Sequence, residues 1–230
     1  DIVYPRGKDE DYGPRYFAPY ADLLARVPFF PAVGNHDYGN HKFQTARGEK
    51  RFKKHYAVIH QRPAYYSFDA GDAHFISRDT NHEGFGINAA APIGEGSAQR
   101  LWLERDLAAS PARWKIVFLH VQLYSSNTHG DHAALRRSLE PLFTRHGVDL
   151  ALQGHNHWYE RSKPISGVVY VTAGTGGAGL HDESDREPWS QIAFPAHGFV
   201  GATLSDAELT LEMIDDDGRV RDHFVLKKPR

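Results

Sequence analysis

With 230 residues, 40% hydrophobic and 12% aromatic, the chain is long enough for one large domain with a full core or for two small ones. Its 27 basic and 29 acidic side chains leave a formal charge of −2, so nothing marks a general nucleic-acid or membrane-surface binder, and no apolar run approaches the roughly 20 residues that span a bilayer. Cysteine is absent, which excludes disulfides and thiolate chemistry but fits either redox compartment, whereas 15 histidines are many for this length and a metal site is one way to use them.

Asp1-Ile2-Val3-Tyr4 followed by Pro5-Arg6-Gly7 reads as the end of a strand entering a loop, with neither a starting methionine nor a signal pattern. The expectation is a chain that starts inside a fold, its N-terminal strand missing upstream. After a polar loop, residues 16–26 carry Phe17, Tyr20, Leu23 and Leu24 at helical spacing. The apolar run 27–33, with Pro28 and Pro31, reads as a short buried strand, and the polar, basic stretch 39–54 as a surface loop and short helix. Two alternating segments around Ala70-Gly71-Asp72 form a hairpin signal, and a glycine-dotted loop covers 81–96. Ser97 then reads as a helix N-cap, with Arg100 where a capping box would have glutamate, and Leu101, Trp102, Leu107 and Ala108 face a core.

Residues 115–119 are a near-continuous apolar run, hence a central strand buried on both faces, ending at His120. A helix over 132–146 leads through Gly147 to a second buried strand, 149–152, that ends at Gly154-His155; a third, 168–171, ends in Gly174. The stretch 198–226 alternates and breaks at Ser205-Asp206 and Asp216-Asp217-Gly218, an antiparallel meander. No repeat, low-complexity tract or linker interrupts residues 1–230, so the reading is a single domain of layered α/β architecture with mixed sheets.

Polar clusters follow three strands: Gly34-Asn35-His36-Asp37, His120, and Gly154-His155-Asn156-His157. Strand ends of one sheet lie side by side, so these clusters can converge. Asn35 offers a neutral oxygen to a metal, His36 can donate a proton near neutral pH, and Asp37 can orient that imidazole. A solvated turn is the plainer reading of GNHD alone. Histidines at i and i+2 project in one direction and can bind two neighbouring ions, although such pairs also occur by chance on exposed strands.

GNHD, the His120 strand end and the segment His155-Asn156-His157-Trp158-Tyr159-Glu160-Arg161 resemble the motif series of calcineurin-like metallophosphoesterases. The Asp1…Tyr4 spacing and the Tyr159-Glu160-Arg161 tail look specifically like purple acid phosphatases. The resemblance runs to about Gly179 and implies an α/β/β/α sandwich with mixed sheets. It implies two metal ions, Fe(III) plus a divalent Zn, Mn or Fe. Asp1 would bridge them; Tyr4 and His157 would bind the first, and Asn35, His120 and His155 the second. His36 would be the proton donor to the leaving group, and His129 would contact substrate phosphate. A further family aspartate, in a DxG or DxH motif, has no counterpart here.

The chemistry suits these residue types. Two cations roughly 3.5–4 Å apart lower the pKa of a bound water, which supplies hydroxide as the nucleophile, and neutralise charge on the phosphoryl oxygens. A hard trivalent ion suits phenolate and carboxylate, while imidazole and amide suit zinc, manganese or ferrous iron. Arg161 is either a brace for the site or a surface arginine. Gly174-Thr175-Gly176-Gly177-Ala178-Gly179 formally fits GxGxxG but lacks the following helix of a dinucleotide fingerprint, so it reads as a close-packed turn near the metal site. His181 and His197 match no motif, and His197 is the one to place against the metals. The expected activity is hydrolysis of small phosphomonoesters, with no membrane or nucleic-acid partner, and the resemblance suggests a secreted or periplasmic home. The alternatives are a phosphodiesterase or nuclease of the same superfamily, or a non-catalytic fragment lacking one metal ligand.

Overall fold

In the computed structural model, residues 1–39, 60, 63–88 and 90–228 are described. The helices are α1 (Asp9–Tyr12), α2 (Ala21–Leu24), α3 (Asn81–Phe85), α4 (Ala98–Ala109) and α5 (Ala133–Arg145), with a π-helical turn at Gly13–Phe17. The strands are β1 (Tyr66–Ala70), β2 (Ala73–Arg78), β3 (Trp114–Leu119), β4 (Leu150–Gln153), β5 (Tyr159–Ser162), β6 (Val169–Ala173), β7 (Ser190–Phe194), β8 (Gly198–Leu204), β9 (Glu208–Asp215) and β10 (Val220–Lys227). A seven-stranded sheet has the order β1-β2-β3-β4-β6-β5-β7, and a three-stranded sheet the order β10-β9-β8. Strands β2, β3, β4 and β6 run parallel at the centre, with β1 antiparallel on one edge; on the other, β5 is antiparallel to both its neighbours, β6 and the edge strand β7.

The apolar runs of β3 and β4 need cover on both faces, and they have it. Because strand side chains alternate, Val117 and Ala151 face a core shared with Leu103 and Leu107 of α4 and Leu139 and Phe143 of α5. Ile116 and Leu150 point the other way, into a core shared with Leu209, Leu211 and Met213 of β9. Those three sit at every second position, so the small sheet turns one whole face inward. Each large aliphatic side chain so buried contributes roughly 1.5–3 kcal/mol. The layering of helices, mixed sheet and second sheet is the architecture expected.

The β1–β2 hairpin pairs Ala70 with Ala73, and Gly71 supplies the positive φ of +57° that its turn requires. Ser97 caps α4, its hydroxyl accepting from Arg100 N at 3.3 Å. The register of α4 differs from the expectation: Leu101 is 46% exposed and Leu103, four residues before Leu107, takes its place in the core. The meander forms as β8–β10.

The N-terminal third departs further. The helix expected over 16–26 is broken into α1, the π-helical turn and α2, with Pro14 inside the turn and Tyr20 outside helical geometry. Residues 28–34 form no strand. Pro28 and Pro31 lack the N–H that a ladder needs, and the segment is tied by side chains instead: Tyr66 Oη donates to Pro31 O at 2.8 Å and Asn81 Nδ2 to Val33 O at 3.0 Å. The loop expected over 81–96 opens with α3, which Gly86 ends at a φ of +64°. Strands β5 and β7 were not expected from the sequence. The loop and helix read over 39–54 lie, beyond Gly39, outside the described residues.

Candidate metal centre

Parallel strands deliver their C-terminal ends to one edge of the sheet, and there the three polar clusters meet. His120, directly after β3, has Nε2 2.9 Å from Asn35 Oδ1 and 3.2 Å from Asp1 Oδ2. Tyr4 Oη donates to Asp1 Oδ2 at 3.1 Å and lies 3.1 Å from His157 Nε2. Ligand atoms of Asp1, His120 and His155 all lie within 4.8 Å of one another. The His36 ring stacks on Tyr4 with centroids 3.9 Å apart, and its Nε2 is 4.0 Å from Asp1 Oδ2. His129 packs beside His155, ring centroids 4.8 Å apart. Asp1, Tyr4, Asn35, His36, His120, His129, His155 and His157 therefore occupy one neighbourhood.

Local backbone chemistry fixes the set. A Cβ on Gly34 would fall 2.1 Å from the Asp1 backbone nitrogen and 2.2 Å from its Oδ1, so only glycine lets that carboxylate enter. Asp37 does not orient His36, contrary to the expectation. Its carboxylate accepts from Gly34 N at 2.8 Å, Ile2 N at 3.1 Å and Val3 N at 3.3 Å, clamping the Asp1 segment to the GNHD turn. The carbonyl of Pro5 orients the His36 imidazole instead, accepting from Nδ1 at 2.6 Å and leaving Nε2 toward the carboxylate of Asp1. Likewise His157 Nδ1 donates to Gly179 O at 2.7 Å, which leaves the Nε2 lone pair facing Tyr4.

Gly174 allows the close approach of the glycine turn, since a Cβ there would sit 1.8 Å from Asn156 O. That turn and the ligand side chains line a cavity of ≈ 670 Å³. His197 backs the turn, its Nε2 donating to Ala178 O at 3.0 Å, and does not join the ligand set.

Burial holds the His120 and His155 imidazoles well below their usual pKa, reinforced at His120 by His36 and His157, and at His155 by His120 and His129. His36 is lowered too, by burial chiefly, against the bond to Pro5. Neutral imidazole is the form that binds metal. Burial, and then the charge of Asp37, pushes the Tyr4 phenol up to about 12, so a phenolate here requires a compensating cation. His155 has a positive φ of 67°, and its Nδ1 is buried with no hydrogen-bond partner. An orphaned lone pair among neutral imidazoles, an amide oxygen, a carboxylate and a phenol is a donor set that fits cations.

Two neighbours were not legible as site residues. His181 stacks on His157 with centroids 4.5 Å apart. Glu160, buried, accepts from Ser126 N at 2.9 Å and Ser125 Oγ at 3.2 Å, pinning the loop that carries His129. Arg161 does neither of the things expected of it: it is bidentate to Asp222 on β10 at 2.6 and 2.9 Å, joining the two sheets away from the ligands. The strand period carried the signal, since it sets Glu160 opposite to Tyr159 and Arg161.

A mixed sheet whose strand-end loops gather these donors about one cavity defines a metallophosphoesterase-type protein. The chain belongs to the calcineurin-like phosphoesterase family, whose sequence profile matches residues 1–159; residues 167–223 match that of iron/zinc purple acid phosphatase-like protein C. It is 29% identical over 268 residues to "Probable inactive purple acid phosphatase 1" of Arabidopsis thaliana, covering 99% of this chain and 42% of that protein. It is 28% identical over 224 residues to purple acid phosphatase 13 of the same plant, covering 90% and 38%. The chain thus spans about two-fifths of the length of these relatives. Among solved structures, purple acid phosphatase PPD1 from yellow lupin seeds shares the fold, with a TM-score of 0.72 at 24% identity over 95% of this chain and 45% of that one. The family implies a dinuclear metal centre. Among the described residues no helix is long and apolar enough to cross a membrane.

Proposed function

We propose that this chain hydrolyses phosphomonoesters at a binuclear centre in the manner of an acid phosphatase. The observation that carries the reading is the convergence of Asp1, His120 and His155, with His155 Nδ1 buried and unpartnered. Tyr4 and His157 with Asp1 suit a hard Fe(III), and Asn35, His120 and His155 with the same carboxylate suit Zn, Mn or Fe(II). Two such cations, when bound, lower the pKa of a water and neutralise charge on the phosphoryl oxygens.

The remaining chemistry belongs to side chains. His36, held through Nδ1 by Pro5 O, keeps Nε2 free at the rim of the centre, where it carries the proton that the leaving alkoxide takes. His129 donates to the phosphoryl group from a loop anchored on Glu160. Asp37 holds Asp1 in register and takes no part in proton transfer. The 230 residues act as one catalytic unit, since β6, inside the segment matched by the second profile, pairs with β4 within the large sheet.

The test is phosphate release from an aryl phosphate by the metal-loaded protein, lost in His36→Ala with metals retained. Visible absorption from Tyr4 on ferric iron identifies the purple type; a colourless active enzyme with divalent ions rejects the iron assignment alone. The name of the first relative favours a second reading, a member that binds metal without hydrolysis. Retained metal with no phosphate release selects it.

A further inference from the structure

Two residues that line the metal cavity take no part in the chemistry above. Arg15 and Tyr20 belong to a separate element, the π-helical turn Gly13–Phe17 and the residues just after it. That turn is fixed by its own core. Tyr12 and Tyr16 are buried against Val3, which lies between Asp1 and Tyr4 in sequence, and Ala18 N donates to Gly13 O at 2.9 Å. The packing holds the turn against the segment that supplies two of the ligands. Turns of this wide type concentrate at functional sites. With Tyr16 directed into the core, its neighbour Arg15 is left to the cavity. Arg15 Nε lies 3.5 Å from Asp11 Oδ1, and its two Nη groups have no hydrogen-bond partner among the described residues. The glycine turn lines the same cavity with Gly174, Gly176, Gly177 and Gly179, and so with no side chain that could neutralise the guanidinium.

We propose that Arg15 is a specificity-determining residue, selecting phosphate esters whose leaving group carries a second anion, a carboxylate or a further phosphate. The inference rests on the phosphatase reading above and names a substrate class for that site. A centre loaded with cations and a guanidinium in the same cavity make it positive at two places, and a ligand with a single anionic group meets only one of them. The ≈ 670 Å³ of the cavity falls in the range of pockets that enclose organic ligands, which leaves room for a substituted leaving group. The planar fork of Nη groups matches the oxygens of carboxylate and phosphate alike. Exposure bounds the effect. The Arg15 side chain is 55% exposed and shares its charge with Asp11, so water and salt screen it, and it sorts substrates without setting the rate of the chemical step.

The decisive variant is Arg15→Met, which keeps the aliphatic stem and removes the charge at an exposed position, where the fold tolerates the change. In the metal-loaded protein, kcat/KM is measured for phenyl phosphate, meta- and para-carboxyphenyl phosphate and para-phenylene bisphosphate, beside metal content. The wild type is expected to favour at least one doubly anionic ester over phenyl phosphate. Arg15→Met lowers that preference by about fivefold, through KM, and by less as salt is raised. Arg15→Lys recovers part of it. Calorimetry with phenylphosphonate and para-carboxyphenylphosphonate, which are not hydrolysed, should show the same drop in relative affinity. Whichever preference falls further, for carboxylate or for phosphate, identifies the group that Arg15 reads. A wild type with no preference for a second anion overturns the inference. So does an Arg15→Met variant whose preference is unchanged, or in which all the esters fall by one common factor. A wild type that hydrolyses none of the esters sinks the phosphatase reading instead, while the phosphonate affinities still decide whether Arg15 reads a second anion.

Discussion

The segment His155-Asn156-His157-Trp158-Tyr159-Glu160-Arg161 contains two polar regions that are neighbours in sequence and opposites in physics. In the second half every charged or hydroxyl group has its complement. Tyr159 Oη donates to Asp222 at 2.8 Å, Arg161 is bidentate to the same carboxylate, and Glu160 accepts from the Ser125-Ser126 loop. Around the first half the side chains converge on one point: His120 Nε2 lies 2.9 Å from Asn35 Oδ1 and 3.2 Å from Asp1 Oδ2, and His155 Nδ1 is buried with no partner. Buried polar groups that are satisfied hold a fold together, while those that converge unsatisfied await something positive. The boundary is Trp158, where the chain passes from the strand-end turn into β5.

The largest effect should come from emptying the first region. His120→Ala or His155→Ala removes a ligand and, with several kcal/mol of charge stabilisation, should lower kcat/KM by about a thousandfold or more together with loss of bound metal. His36→Ala should cost on the order of a hundredfold or more in kcat with metal content intact, because only proton delivery is removed. Asp37→Ala frees the amides of Ile2, Val3 and Gly34; unfolding free energy should drop by about 3 kcal/mol, and metal affinity should fall about tenfold as Asp1 loosens. Activity per loaded site should change little in that variant, which dialysis followed by metal analysis can separate.

The second region predicts the reverse pattern. Arg161→Met strands the Asp222 carboxylate between the sheets and should cost about 3 kcal/mol in denaturant unfolding, with kcat of the folded, metal-loaded protein within about twofold of wild type. A catalytic loss there beyond the stability loss would mean that the two halves are coupled after all. The mildest expectation concerns pH. The histidines of the first region, His120, His155, His157 and His36 among them, have pKa values lowered by burial. The unfolded chain therefore takes up protons below its ordinary value near 6.5 while the folded metal-free protein resists. Stability is fully present above pH 6.5 and declines as pH falls below it. Denaturant melts of the chelated protein between pH 8 and pH 5 should show that decline, and a flat profile would deny the burial.

Much of this was readable from residues alone, and the failures share a cause. The parallel strands β3, β4 and β6 announce themselves as apolar runs because both faces are covered, and the clusters after β3 and β4 could be foreseen as neighbours from sheet topology. Strand β5 could not, since Tyr159, Glu160 and Ser162 are polar and owe their burial to partners 8 to 63 residues away. The placements of Asp37 and His181 were hidden for the same reason. One is set by amides 34 and 35 residues upstream, the other by an amide 24 residues back, and no local pattern encodes either contact. At residues 27–33 local chemistry was decisive and overlooked: two prolines deny the ladder that the apolar pattern suggests.

Metal binding by the purified chain is the most direct test. Apo-protein titrated with Zn(II) and monitored by calorimetry should take up about two ions per chain, with X-ray absorption reporting nitrogen and oxygen ligands only. His155→Ala should abolish at least one of those binding events. A wild-type chain that binds no ion, or a His155→Ala variant that binds as the wild type does, would contradict the account.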